Sequence, residues 1–305
     1  MAGRLEGKVA IVTGAGRGIG RGEALLLAQE GAAVVVNDLG GGPDGAGQDS
    51  SPADEVVAEI RAAGGRAVAN FDSVTSMEGG ERMVNAALDS FGRLDILINN
   101  AGILRDRMFH NMTEEEWDAV IAVHLKGHFT VSRAAAVVFR EQRWGRIVNT
   151  SSSSGLGNMG QANYSAAKEG IVGLTRTLAL DLGRYGVTVN AIRPSAGTRL
   201  TLTDQLRSAA ERLAKGGQTR LIEALNQLDS WKPEYVAPFV VWLCTDEAAH
   251  VNGRTFQVAG PRIGLYSEPE PIRTLYSPKG YWTLDELMDA MPGITGDLVN
   301  PAPPQ

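Results

Sequence analysis

A chain of 305 residues, 43% of them hydrophobic, has enough apolar side chains to bury one large α/β core. Its net charge of −6 argues against a basic surface, so we expect no nucleic-acid partner. The single cysteine, Cys244, excludes a disulfide framework, and no apolar run approaches the ~18 residues of a membrane span. Because the first residues also lack a signal-peptide pattern, we expect a cytoplasmic protein with no membrane association.

The first elements alternate between strand and helix around a glycine-rich turn. The apolar run Val9–Thr13 predicts a strand, Gly14–Gly20 a tight turn, and Ala24–Ala28 a helix. A second strand is predicted at Ala33–Val36, and the acidic Asp38 follows it. This order is typical of a dinucleotide-binding unit, in which the glycines let the backbone approach a pyrophosphate at a helix N-terminus.

The acidic residue bears on which dinucleotide is bound. Asp38 lies 18 residues past Gly20, close to the ~20 expected for the carboxylate that bonds a ribose 2′-hydroxyl. Such a carboxylate repels a 2′-phosphate, so the sequence favours NAD over NADP. Arg17, in the same turn, leaves NADP open as the alternative.

The rest of the chain continues the alternation as far as Val258. Further strands are predicted at Arg66–Ala69, Leu94–Ile98, Arg146–Asn149, Val187–Ile192 and Arg254–Val258. Helices are predicted at Asp54–Ala62, Glu81–Phe91, Trp117–Phe139, Tyr164–Leu182 and Pro233–Cys244, with a short one at Leu284–Met288. A capping box at Thr113–Glu116 opens the third of these helices. The pattern predicts one Rossmann-like, doubly wound α/β domain over residues 1–305.

Three segments depart from this alternation. Residues 40–52 are rich in glycine and polar side chains and predict a loop. Residues 198–230 hold two short helical patterns, which fit either a substrate lid or a plain helical hairpin on the surface. Residues 261–305 form a C-terminal extension whose prolines and aromatics suggest packing on this or a neighbouring subunit.

Tyr164 and Lys168 carry the chemistry that the sequence suggests. Four residues apart, they emerge on one face of a helix, so the ammonium can stabilise the phenolate. A phenol has an ordinary pKa of ~10, and a neighbouring cation lowers it enough for proton exchange with an alcohol. A serine from the preceding loop can hold the reacting oxygen. The pattern predicts interconversion of a secondary alcohol and a ketone, with the dinucleotide carrying the hydride.

Together these motifs resemble the short-chain dehydrogenase/reductase family over about residues 8–260. The resemblance rests on Thr13-Gly14-x-x-x-Gly18-x-Gly20, Asn99-Asn100-Ala101-Gly102, a serine near Ser152, and Tyr164-x-x-x-Lys168. It implies a seven-stranded parallel sheet, a nicotinamide cofactor, and a tyrosine acid/base whose pKa the lysine lowers. The residues that it assigns to the cofactor are Gly14, Arg17, Gly18, Ile19, Gly20, Asp38, Asp72, Ser73, Asn99, Ala101, Gly102, Tyr164, Lys168 and Pro194.

The resemblance leaves the catalytic serine open between two neighbours and places a histidine in an unusual position. Counting from Asn149 gives Ser152, whereas counting back from Tyr164 gives Ser151 as the alternative. His124 aligns with the family's helix asparagine, which holds a water in the proton relay. His128 lies one helical turn further on, but no third ligand is apparent, so we expect no metal site.

Finer strings are similar to one branch of the family, the dehydrogenase part of peroxisomal multifunctional enzyme type 2. They include Asn37-Asp38-Leu-Gly-Gly and Arg105-Asp106-Arg107. The branch implies a 3-hydroxyacyl-CoA substrate, with a steroid or other bulky hydrophobic alcohol as the alternative, and a homotetramer or homodimer. An NADH-binding sensor without turnover is the non-enzymatic alternative, against which the intact set of Ser152, Tyr164 and Lys168 argues.

Overall fold

The computed structural model describes residues 3–299 and residue 301. Its backbone divides into two compact units, Met1–Tyr266 and Ser267–Gln305. The first holds the whole sheet, and the second holds two short helices. Among the described residues, no helix is both long and apolar enough to cross a membrane.

The first unit is built on one twisted sheet of eight strands. They are β1 Val9–Thr13, β2 Ala33–Asn37, β3 Arg66–Asn70, β4 Ile96–Asn99, β5 Gly145–Thr150, β6 Val187–Ser195, β7 Thr255–Ala259 and β8 Arg262–Leu265. Their order is β3-β2-β1-β4-β5-β6-β7-β8, and all neighbours are parallel except β7 and β8. The strand order reverses between β1 and β4, which is where an open α/β sheet forms its ligand crevice.

Helices cover both faces of this sheet. In the first unit they are α1 Gly18–Gln29, α2 Ser51–Ala62, α3 Met77–Phe91, α4 Glu114–Ile121, α5 Gly127–Gln142, α6 Ala162–Gly183, α7 Asp204–Lys215, α8 Arg220–Ser230 and α9 Ala237–Leu243. The second unit holds α10 Leu284–Ala290 and α11 Pro292–Thr295. One apolar cluster lies between the sheet and α1, α2 and α9, and a second lies between the sheet and α3, α5 and α6. Burial on both faces explains why the strands are continuous apolar runs.

The predicted doubly wound sheet is confirmed, with one strand more than the seven expected. After β7, Gly260 and Pro261 form a two-residue turn, and β8 pairs back antiparallel from Arg262 opposite Ala259. The sequence did not predict this hairpin, and residue 261 was expected to begin a C-terminal extension. The reason is that β8 is short, lies at the sheet edge and is mostly exposed.

The long helix predicted at Trp117–Phe139 is interrupted. Its capping box is confirmed, since Thr113 Oγ1 accepts from the Glu116 amide at 3.2 Å and the Glu116 carboxylate accepts from the Thr113 amide at 3.0 Å. After α4, however, Ala122–Lys126 forms a π-helical turn before α5 begins. A π turn adds a residue to the helical cycle and commonly marks a functional site. Here it contains His124.

Candidate active site

A cavity of about 490 Å³ opens at the carboxyl ends of the parallel strands. Its walls come from the segments that follow β1 to β6, together with side chains of α6 and of the π-helical turn, as expected for the crevice of a doubly wound sheet. Twelve of the fourteen residues assigned to the cofactor line it: Gly14, Arg17, Gly18, Ile19, Asp38, Asp72, Ser73, Ala101, Gly102, Tyr164, Lys168 and Pro194. Ser152 and His124 line the same cavity.

The glycine turn fits a dinucleotide because it leaves space on the cavity side. Gly14 has φ +64°, and a Cβ added there would lie 2.8 Å from the Cα of Ala101, so the turn must pack tightly against the loop after β4. A Cβ added to Gly18 would meet only Thr198, at 3.8 Å. The backbone at the start of α1 is therefore open to a ligand, and a helix N-terminus favours a phosphate group there.

Asp38 is held rigidly beside this turn. Its Oδ2 accepts a hydrogen bond from the Gly16 amide at 2.8 Å, and its Oδ1 accepts one from the Gly40 amide at 2.7 Å. The residue is only 8% exposed and faces the cavity. A fixed carboxylate at this point can accept from a ribose hydroxyl and disfavours a phosphate in the same place.

Asn99 and Gly20, the other two residues that the resemblance assigns to the cofactor, do not line the cavity. Asn99 is buried, and its Nδ2 donates to Ser132 Oγ and Asn149 Oδ1, both at 2.9 Å. Successive side chains of a strand point to opposite faces, so the next residue, Asn100, lines the cavity instead. Gly20 is required for packing, because a Cβ there would overlap the Asn100 amide.

Tyr164, Lys168 and Ser152 come together at one end of this lining. Tyr164 is the third residue of α6, and Lys168 follows one turn later with its Nζ 5.3 Å from the centroid of the phenol ring. Lys168 Nζ donates to the Thr150 carbonyl at 2.5 Å. The side chain of Ser152 is close enough to the Tyr164 hydroxyl to lower the pKa of the phenol. The three groups needed for proton exchange with an alcohol thus line the same cavity.

The two adjacent serines have different partners. Ser151 is buried, and its Oγ donates to the Lys168 carbonyl at 2.7 Å, so its hydroxyl is committed to the backbone of α6. Ser152 is partly exposed, and its Oγ accepts from the Ser154 amide at 3.1 Å while lying next to the phenol. The structure therefore places Ser152, and not Ser151, beside Tyr164.

Burial dominates the protonation of the tyrosine and the lysine. It raises the pKa of Tyr164 to about 12. The Ser152 side chain lowers this pKa, and the Asp106 carboxylate raises it further. Burial also lowers the pKa of Lys168 to about 7. The expected lowering of the Tyr164 pKa by Lys168 is not seen here, because both groups lie where a charged form is poorly solvated. At neutral pH the phenol is protonated.

His124 is neutral and fixed by the backbone. Burial, followed by repulsion from Lys168, keeps the pKa of the His124 imidazole well below its ordinary value. Its Nε2 lies 3.1 Å from the Ile103 amide nitrogen and 2.8 Å from the Ile103 carbonyl oxygen, so the backbone of one residue holds the ring. Its ring meets the Tyr164 ring edge to face, with centroids 5.0 Å apart. Among the described residues Nδ1 has no partner, which leaves it available for a hydrogen bond with a water.

His128 supports this arrangement from the next turn. Its Nδ1 lies 2.6 Å from the His124 carbonyl oxygen, and burial lowers the pKa of the His128 imidazole to about 3. Within the described ranges, no group of three or more histidine, cysteine or acidic side chains could hold a metal ion.

Several site residues escaped the sequence analysis. Asn100 was quoted only as part of a motif, and Arg199 was not singled out at all, yet both line the cavity. Asp106, which accepts from Gln161 Nε2 at 2.7 Å, acts on the phenol from the loop after β4. Their position in the sequence could have indicated them, because each lies in a segment that follows a parallel strand.

Comparison with known proteins agrees with this geometry. Residues 8–211 match the family model of the short chain dehydrogenases. The chain is 51% identical over 262 residues to the peroxisomal multifunctional enzyme type 2 of Mus musculus, covering 86% of this chain and 33% of that protein. It thus spans about a third of the length of that relative.

Two other similar proteins are covered nearly whole. The hydroxyacyl-CoA dehydrogenase ChsB1 of Mycobacterium tuberculosis is 44% identical over 292 residues, which cover 93% of this chain and 87% of that one. The crystal structure of a short chain dehydrogenase from Mycobacterium avium superimposes with a TM-score of 0.80 at 44% identity, over 99% of each chain. The chain belongs to the short-chain dehydrogenase family.

Proposed function

We propose that this protein is an NAD-dependent dehydrogenase that interconverts a 3-hydroxyacyl-CoA and its 3-ketone. The observation that carries the proposal is that Tyr164, Ser152 and Lys168 line the same cavity, with Lys168 one helical turn from Tyr164 and its Nζ over the phenol ring. The name of one similar protein, the hydroxyacyl-CoA dehydrogenase ChsB1 of Mycobacterium tuberculosis, supports the substrate class.

The residues of the site divide the proton chemistry between them. When bound, the nicotinamide ring supplies the acceptor for the hydride that leaves the alcohol carbon. Ser152 donates a hydrogen bond to the reacting oxygen, and Tyr164 exchanges the hydroxyl proton with it. General acid–base help of this kind contributes roughly 10²–10⁴ in rate. Lys168 stabilises the phenolate that forms during oxidation while its own amine is protonated, and Nδ1 of the neutral His124 holds a water that can pass the proton on.

The direction of the reaction follows from the same protonation states. Burial raises the pKa of Tyr164 to about 12, so at neutral pH the phenol is ready to donate a proton to a ketone. Oxidation instead needs the phenolate, whose population grows as the pH rises. We therefore expect oxidation to accelerate with increasing pH while reduction slows.

The preference for NAD over NADP is supported by Asp38. Its two oxygens are already held by the amides of Gly16 and Gly40, so the carboxylate cannot turn away from a 2′-phosphate. A phosphate placed against a fixed carboxylate experiences like-charge repulsion, whereas a ribose hydroxyl can donate to it.

The proposal is tested by following the absorbance of reduced nicotinamide with a panel of 3-hydroxyacyl-CoA esters and 17β-hydroxysteroids. We expect turnover with the acyl-CoA esters. Tyr164→Phe should lose at least about 10²-fold in kcat while its affinity for NADH stays unchanged. Tyr276→Phe, which removes a phenol that is 86% exposed in the second unit, is the matched control.

Replacing the serines one at a time completes the test. Ser152→Ala should reduce kcat far more than Ser151→Ala, because the Ser151 hydroxyl is bonded to the Lys168 carbonyl, whereas Ser152 lines the cavity and acts on the phenol. NADH binding without turnover of any substrate would support a cofactor-binding sensor instead. Turnover of steroids alone would retain the reaction type and refute the acyl-CoA assignment.

We further propose that the protein is a cytoplasmic homotetramer or homodimer. Large apolar side chains are exposed on α5 and α6, including Phe129 at 47% and Leu180 at 83%. Exposed apolar groups of this size favour burial against another copy. The single, buried Cys244 is compatible with a reducing compartment. Light scattering of wild type and of Phe129→Ser would measure the subunit number and whether this face carries the contact.

A further inference from the structure

Two arginines approach the same part of the cavity from different elements. Arg17 lies in the glycine turn between β1 and α1, and Arg199 lies between β6 and α7. Both line the cavity. Partial burial, and then repulsion from Arg17, lowers the pKa of Arg199, while the Asp38 carboxylate opposes this effect. Two guanidinium groups are therefore held near one another in a confined space.

Their positive charges are poorly neutralised by the protein. The Arg17 guanidinium lies 4.0 Å from the carboxylate of Asp49, a long contact between two exposed groups. In the part of the chain that the structure describes, Arg199 has no carboxylate within ion-pair distance. Both Asp38 oxygens are already bonded to backbone amides. A pair of cations facing a cavity without close counter-charges is suited to an anionic ligand.

Arg199 also connects the two sides of the cavity. Its Nη1 donates to the Gly41 carbonyl at 3.1 Å. Gly41 belongs to the loop of residues 39–49, which contributes Leu39, Gly42 and Gly45 to the lining as well. We call this segment the 39–49 loop. It is closed on itself by the bond from the Asp49 amide to the Leu39 carbonyl, at 3.1 Å.

The same loop is tied to the chain after β4 by two further hydrogen bonds. The Leu104 amide donates to the Pro43 carbonyl at 2.9 Å, and Arg105 Nε donates to the Asp44 carbonyl at 3.0 Å. Arg199 supplies the tie from the β6 side. A change at Arg199 would thus act on both the charge of the cavity and the hold on the loop.

We propose that Arg199 and Arg17 together bind the diphosphate of the dinucleotide, and that Arg199 at the same time fastens the 39–49 loop beside it. This inference rests on the proposed function. A dinucleotide that reaches from Asp38 to Lys168 must place its diphosphate between them, next to the glycine turn that contains Arg17. The planar guanidinium donates two parallel N–H groups, which match the oxygens of a phosphate.

Coenzyme A also contains a diphosphate, and the structure favours the dinucleotide. The neighbours of Arg199 are Arg17, Asp38 and Gly41, which lie within the first strand–helix–strand unit or directly after it. The acyl group must instead reach Ser152 and Tyr164, which follow β5.

The test compares ligands that share or lack the diphosphate. Dissociation constants for NADH and ADP-ribose would be measured by calorimetry for wild type, Arg199→Ala and Arg199→Lys. We expect Arg199→Ala to weaken both ligands about tenfold or more and to a similar extent, with Arg199→Lys in between. Arg212→Ala removes an exposed charge from α7 and serves as the control. The ratio of KM values for an acyl-CoA and its N-acetylcysteamine thioester should not change.

The possible outcomes separate the two hypotheses. ADP-ribose affinity within about twofold of wild type in Arg199→Ala would overturn the diphosphate assignment and leave the proposed function intact. A loss confined to CoA esters would move the site to the substrate and also overturn it. Failure of the wild type to bind NADH and ADP-ribose would overturn the proposed function itself.

The loop is tested without any ligand, by amide hydrogen exchange. Arg199→Ala should accelerate exchange at the amides that close the 39–49 loop, notably those of Gly42 and Asp49, while Arg212→Ala should not. Unchanged rates would overturn the second half of the proposal. Arg199→Lys, which keeps the charge, provides the same readout if the alanine variant fails to fold.

Discussion

Glu23 lies in the middle of α1 without any exposed surface. Neither of its carboxyl oxygens has a hydrogen-bond partner among the described residues. The helix packs against α9, and the carboxyl is close enough to Cys244 to raise the pKa of that thiol. Burial alone raises the pKa of Glu23 from its ordinary value of 4.5 to about 8. At neutral pH this glutamate is therefore a neutral acid inside the core.

The sign of the effect on stability follows from linkage. Below pH 4.5 the carboxyl is protonated in both the folded and the unfolded chain, so the raised pKa has no effect. Between pH 4.5 and 8 only the unfolded chain loses the proton, and the free energy of unfolding falls as the pH rises. At roughly 1.4 kcal/mol per pH unit, this loss is about 1 kcal/mol at pH 5.5 and about 4 to 5 kcal/mol at pH 8.5.

Glu23→Leu replaces the carboxyl with an apolar side chain of similar size. We expect the variant to gain about 3 kcal/mol more over wild type at pH 8.5 than at pH 5.5, as measured by urea unfolding at the two pH values. Glu23→Gln should show the same pH dependence with a smaller absolute gain, because its amide stays unpartnered. Glu55→Gln, on the exposed face of α2, is the control. A stability difference independent of pH would refute the argument.

Three further variants probe the site itself. Gly102→Ala would place a Cβ 2.5 Å from Cε1 of His124, so we expect a loss of about tenfold or more in kcat/KM and a destabilisation of about 1–3 kcal/mol, measured by kinetics and urea unfolding. Asp106→Asn removes the charge that raises the pKa of Tyr164, so the alkaline rise of the oxidation rate should move to lower pH. Asp38→Ser removes the fixed carboxylate and should weaken NAD binding while improving NADP binding, which calorimetry would measure.

Each of these three predictions can be refuted separately. Normal kcat/KM in Gly102→Ala would mean that the His124 ring can move without cost to the reaction. An unshifted pH profile in Asp106→Asn would show that this carboxylate does not act on the phenol. An unchanged preference between NAD and NADP in Asp38→Ser would assign the discrimination to another group, with Arg17 the first to examine.

The sheet was predictable because its signal is local. A strand buried on both faces must be apolar throughout, so β1 to β7 stand out as short hydrophobic runs. β8 has no such signal, since Arg262 and Ile263 are exposed at the sheet edge, and only the Gly260-Pro261 turn marked it. The helices of residues 198–230 were recovered as α7 and α8 from their periodicity, although nothing in that pattern states what they enclose.

The sequence predicts which residues form the site, but not which way their side chains point. The spacing of Tyr164 and Lys168 fixes their shared helical face, whereas the choice between Ser151 and Ser152 depends on which hydroxyl turns toward α6. Asn99 was assigned to the cavity because a motif names adjacent residues without saying which face each one points to. The pKa of Tyr164 could not be inferred at all, because it depends on how deeply the phenol and the ammonium are desolvated together.

The π-helical turn at Ala122–Lys126 holds one residue more than an α-helical turn would need. Deleting one residue from it would convert it to an α-helical turn and leave α4 and α5 in their present rotation about the helix axis. Val131 and Phe139, which are fully buried, would keep their places in the apolar cluster. His124 lies within the turn, so a single-residue deletion here would displace the imidazole from the cavity while sparing the core.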